Sequence, residues 1–91
     1  MPLNLSRIQE RMGKLQDWSL DINLLVKEKQ LKDFKEALWY VNRVGELAEK
    51  HQHHPLILIS YNLVRLSLTT HEESGLTDKD FDLAEEIDKI Q

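Results

Sequence analysis

The chain of 91 residues contains no cysteine, which excludes disulfide staples, thiolate nucleophiles and Cys-ligated zinc or iron–sulfur centres. Glycine and proline are scarce: only Gly13, Gly45, Gly75, Pro2 and Pro55 punctuate the sequence, and there is no Gly-rich phosphate loop, no Gly-x-Ser-x-Gly elbow, no repeat and no low-complexity tract. Long apolar runs are missing too. The longest aliphatic run, Leu56-Ile57-Leu58-Ile59, is far too short to span a bilayer, and the first residues carry no apolar stretch of the secretory kind. Positive charge is in deficit, with 12 Lys and Arg against 16 Asp and Glu. A net charge of −4 speaks against a protein that tracks nucleic-acid phosphates, whose footprint is basic. The expectation is a cytoplasmic protein, with neither nucleic acid nor membrane as partner.

What remains is 41% apolar and 31% charged residues in a length that suits one small domain over residues 1–91. A core of that size without staples favours homo-oligomers. The spacing of Ile8, Met12 and Leu15 predicts a first helix over 6–14, with Ser6 and Gln9 resembling a capping box. Residues 18–26 alternate at the strand period, as one long strand or as a hairpin turning near residues 21–23. Leu31, Phe34, Leu38, Val41, Gly45 and Ala48, widened by Ala37 and Val44, form the apolar stripe of a long helix over 31–50, with Gly45 as a close-packing position and Trp39 and Tyr40 off the stripe. Pro55 blocks continuation. Residues 56–68 read as two strands turning around Tyr61-Asn62, and 69–76 as a loop. Thr77 reads as the N-cap of a last helix buried through Phe81, Ala84, Ile87 and Ile90 or Leu83. The order α-β-β-α-β-β-α predicts an α+β two-layer sandwich: a four-stranded antiparallel sheet with three helices on one face.

All four histidines fall between positions 51 and 71, at the ends of predicted elements. Three readings compete. Imidazoles are tolerated on a solvated helix C-terminus, which suits His51. Three imidazoles with Glu72 have the chemistry of a zinc site, but no pair has the i, i+4 spacing of a helical zinc motif. Acid–base catalysis is the third, since an imidazole titrates near neutrality, at about 6.5, and can both give and take protons. Glu49 and Asp80 could form a carboxylate pair. Each also has a plain role, Glu49 as a solvated helix residue and Asp80 as the far half of a capping box with Thr77.

The constellation Glu49-Lys50-His51-Gln52-His53-His54-Pro55, then Tyr61, His71 and Asp80, resembles the signature of the pterin-4a-carbinolamine dehydratases. Lys32-Asp33-Phe34 with Ala37, Thr70-His71-Glu72, Gly75-Leu76-Thr77 and Leu83-Ala84 are similar to the family as well, so the resemblance covers about residues 18–88. Two positions depart from it: Gln52 stands where an acidic residue is frequent, and Ile57 where an aromatic is frequent.

The resemblance implies the fold expected above, assembly as homodimers or homotetramers, and no metal or organic cofactor. It implies a pterin substrate and loss of water from 4a-hydroxytetrahydropterin to give quinonoid dihydropterin. It implies that His53 and His71 exchange the protons and that His54 orients the pterin. Gln52, Thr69, Thr70 and Glu72 become contacts to the ring, with Glu49 and Asp80 as support. Which histidine is acid and which is base stays open. So do two other readings: a non-catalytic pterin-binding or dimerisation-cofactor protein, and a relative acting on a molybdenum-cofactor or folate-type pterin.

Overall fold

A computed structural model describes residues 1–91. Its elements are α1 (Leu5–Met12), β1 (Trp18–Asp21), β2 (Leu24–Gln30), α2 (Phe34–His51), β3 (Leu56–Ser60), β4 (Leu63–Leu68), a 3-10 turn (His71–Glu73) and α3 (Asp78–Ile87). The four strands form one antiparallel sheet in the order β1-β2-β4-β3. Two hairpins are thus joined through their second strands, and β1 and β3 are the edges. This is the expected α+β sandwich.

The register explains the core. Leu25 faces Leu68, Lys27 faces both Trp18 and Leu66, and Val64 and Leu66 face Ile59 and Ile57. Directly opposed residues share a face, so these side chains make one apolar surface. Ala37, Tyr40, Val44 and Ala48 of α2 and Phe81, Leu83, Ala84 and Ile87 of α3 complete the buried cluster, with Ile8 and Met12 of α1 packed against it. The opposite face leaves Leu56 and Leu58 exposed on β3.

Several local expectations change. The first helix is capped by Asn4, whose side chain accepts from the Arg7 N–H, and not by Ser6. Residues 18–26 form a hairpin, and its second strand runs on to Gln30 because β4 pairs with it along its whole length. The left-handed backbone at its turn belongs to Ile22, between the Asp and Asn expected to make it. The long helix starts at Phe34, because Asp33 caps it by accepting from the Glu36 N–H.

The buried stripe of α2 also lies round from the expected one. Tyr40 is in the core, whereas Phe34, Leu38 and Trp39 are 41–47% exposed. Gly45 is not a close-packing position, since a Cβ there would meet no atom within 4 Å. Helical periodicity locates an apolar stripe but not which edge of it the sheet covers.

Candidate active site

The C-terminus of α2 determines where the histidines go. Gln52 caps the helix in the left-handed conformation (φ 51°), and the N–H of His53 returns to the carbonyl of Ala48 at 3.1 Å. The side-chain amide of Gln52 donates to the carbonyl of Glu49 at 2.7 Å. This reversal satisfies helix-end carbonyls and sends the next two side chains to different environments. The His53 side chain is 11% exposed and points to α3, while that of His54 is 60% exposed.

Each of these imidazoles meets a carboxylate. His53 Nε2 lies 2.5 Å from Asp80 Oδ1, and His54 Nε2 lies 2.5 Å from Glu49 Oε2. Glu49 is exposed, so its pair is wet; Asp80 is wholly buried. The expected capping box is present, with the Asp80 carboxylate accepting the N–H of Thr77 at 2.9 Å. Asp80 is therefore a cap and an imidazole partner at once. A buried carboxylate requires such donors, and it has a third in the Thr70 hydroxyl at 2.8 Å.

A cleft of about 350 Å³ opens over this pair, lined by Gln52, His53, His54, Thr69, His71, Glu72 and Lys79, with no hydrophobic residue among them. Six of the expected residues are thus brought together from the end of α2, the end of β4 and the 3-10 turn. His71 opens that turn, and its ring makes no hydrogen bond to the protein. Thr70 is brought to the site but not to the cleft: it is 2% exposed, and its hydroxyl is engaged by Asp80 and by the Thr77 hydroxyl. Its side chain has no free group to offer a ring. His51 takes no part in the cleft.

Two residues escaped the sequence reading. Lys79 lines the cleft from the first turn of α3. Its position beside Asp80 could have flagged it. Thr77, read only as a cap, also extends the hydrogen-bond network beneath His53. A wider hollow between the start of α2 and the C-terminus, bordered by Lys29, Lys35, Trp39 and Gln91, contains no histidine. No three His, Asp or Glu side chains converge as a metal-ligand set. No helix is long and apolar enough to cross a membrane.

Arranged this way, the site has two imidazoles anchored by carboxylates, a third free to adjust, and a rim that carries one lysine and one glutamate. Such a set can donate one proton and accept another on a flat polar ligand. Comparison with known proteins identifies the family. The family model for pterin 4 alpha carbinolamine dehydratase matches residues 1–90. A protein from Sulfolobus acidocaldarius named "Putative pterin-4-alpha-carbinolamine dehydratase" is 41% identical over 91 residues, covering 100% of both chains. A protein of the same name from Chloroflexus aurantiacus is 48% identical over 88 residues, 97% of this chain and 95% of that one. The crystal structure of a transcriptional coactivator/pterin dehydratase from Brucella melitensis superposes with a TM-score of 0.90 at 29% identity, covering 96% of this chain and 95% of that one. With the whole length matched in sequence and fold, the chain belongs to the pterin-4-alpha-carbinolamine dehydratase family, a family of hydro-lyases.

Proposed function

We propose that the protein is a 4a-hydroxytetrahydrobiopterin dehydratase that works by histidine acid–base catalysis without a metal or organic cofactor. The observation that carries this reading is the convergence of His53, His54 and His71 on one polar cleft, with His53 seated on the buried Asp80. In the reaction the C4a–O bond breaks and the hydroxyl takes a proton to leave as water. The proton on N5 is removed, and the N5–H electron pair becomes the new N5=C4a bond of quinonoid dihydropterin. One acid and one base suffice, and positioned groups of this kind typically contribute about 10²–10⁴-fold each. We assign the two transfers to His53 and His71, and the orientation of the ring to His54 held by Glu49. Gln52, Thr69, Glu72 and Lys79 supply the polar edge contacts.

The test is dehydration of 4a-hydroxytetrahydropterin by purified protein, with and without a chelator, beside His53→Ala. Chelator-resistant turnover that the variant lacks supports the reading. Absence of wild-type turnover rejects it and favours a pterin-binding role.

Assembly belongs to the same proposal. Phe34, Leu38 and Trp39 are exposed on α2, and Leu56 and Leu58 on the outer side of edge strand β3, as apolar groups that a second subunit could cover. We propose on this ground a homodimer or homotetramer; a cytoplasmic location is part of the same proposal. Light scattering across a dilution series checks it, and a monomer throughout would reject it.

A further inference from the structure

The hydrogen bonds beneath His53 have a direction, and it can be worked out donor by donor. Asp80 Oδ2 accepts the backbone N–H of Thr77 at 2.9 Å and the hydroxyl of Thr70 at 2.8 Å. Thr70 has one hydroxyl hydrogen, and it is spent on Asp80. The 2.8 Å contact between the hydroxyls of Thr70 and Thr77 is therefore a donation from Thr77. Thr77 Oγ1 in turn accepts the N–H of Lys79. Every donor on this path points toward the carboxylate. Asp80, a carboxylate with two donors on one oxygen, has only its acceptor Oδ1 to present to His53 Nε2, 2.5 Å away.

We propose that the Thr77–Thr70–Asp80 chain is a one-way relay that holds His53 with its proton on Nε2. Thr70 is then a positioning residue, and Nδ1 is the atom that trades a proton with the substrate. No protein group bonds to Nδ1, and His53 lines the cleft. The same logic explains why Thr70 is buried beside the site without facing it. A neutral imidazole without this hold would distribute its proton between two nitrogens, and only one arrangement leaves a basic nitrogen toward the ligand. The assignment of Nδ1 to proton exchange rests on the dehydratase reading; the tautomer itself does not.

The experiment is a long-range proton–nitrogen NMR spectrum of the full chain, at a pH where His53 is neutral, for wild type and Asp80→Asn. The wild type is expected to show the Nε2–H form. In Asp80→Asn the donors from Thr70 and Thr77 claim the amide oxygen, so the amide NH₂ faces His53 and the tautomer reverses to Nδ1–H. A wild-type spectrum of Nδ1–H or of an even mixture overturns the proposal, as does a tautomer that Asp80→Asn leaves unchanged.

Kinetics test Thr70. Thr70→Val is expected to lower kcat about tenfold with KM held, the effect of losing one hydrogen bond to a charged group, while Thr70→Ser restores it. Wild-type kcat in Thr70→Val removes Thr70 from the relay. If Thr70→Val does not fold, the Asp80→Asn spectrum decides alone. A wild type with no turnover but the expected tautomer and reversal rejects the dehydratase and supports the relay.

Discussion

Lys27 and Asp88, neither of which lines the histidine cleft, form a 2.9 Å ion pair with their side chains only 8% and 9% exposed. Lys27 also donates to the carbonyl of Gln16 and sits 5.6 Å from the centre of the Trp18 ring, while Asp88 accepts the indole N–H of Trp18 and the backbone N–H of Gln16. One lysine on the core face of β2 and one aspartate capping α3 thereby lock β1, β2 and the last helix together. Removing one partner strands a buried charge, which typically costs about 3–5 kcal/mol. Asp88→Ala is expected to lower the melting temperature by more than 10 °C, at roughly 4–8 °C per kcal/mol for a domain of this size. Lys27→Met with Asp88→Leu should lose less than Asp88→Ala alone. Thermal melts of the set check both.

Tyr40 carries a buried hydroxyl with no hydrogen-bond partner, and burial, aided by the charge of Asp88, pushes its pKa up from 10.0 to about 12. The folded state binds this proton more tightly than the unfolded chain does. The contribution is complete below pH 10 and is lost as the pH rises between 10 and about 12, at about 1.4 kcal/mol per pH unit. Tyr40→Phe removes both the alkaline loss and the unpaired hydroxyl. It is expected to be about 1 kcal/mol more stable or unchanged at neutral pH, and to have a flatter alkaline limb in urea unfolding.

Gly45 sits mid-helix with open space around a would-be Cβ. Gly45→Ala is therefore expected to add about 0.5–1 kcal/mol of stability by helix propensity alone. A lower melting temperature would mean that another subunit approaches the backbone there.

The histidines should separate by position. His53→Ala and His71→Ala are expected to lose most dehydratase activity while retaining the circular dichroism spectrum of the wild type. His51→Ala, outside the cleft, should change kcat less than twofold, a shift of about 0.4 kcal/mol or less. Full activity in both of the first two variants would sink the proposed mechanism, and a large loss in the third would move it toward a wider histidine cluster.

Arg11 offers a structural control. Its buried guanidinium bonds Asp78, Asp82 and Glu85 of α3 at 2.8–3.0 Å, and burial, which opposes its charge, is outweighed by those bonds, so its pKa is raised. Arg11→Met should cost about 1–3 kcal/mol and loosen α1 with little effect on kcat, as urea unfolding and turnover together would show.

Much of the protein was legible before folding. The element order follows from periodicity, Pro55 and the Thr77 cap, and the clustering of histidines at element ends pointed to the polar cleft that three of them line. These are local properties: a period of 2 or 3.6, a missing N–H and a side chain that caps its own backbone act over a few residues, so they survive in the bare sequence. What tertiary structure decided was every choice between two local options. Tyr40 is core and Trp39 is not, because the sheet covers one edge of a broad apolar stripe. Thr70 faces inward and His71 outward, because the short helical turn after β4 separates neighbours. Asp80 is both a cap and the partner of His53, because the end of α2 is brought against the start of α3, 27 residues away in the chain. Contacts of that separation depend on how helices and sheet pack, and no window of sequence contains both sides of them.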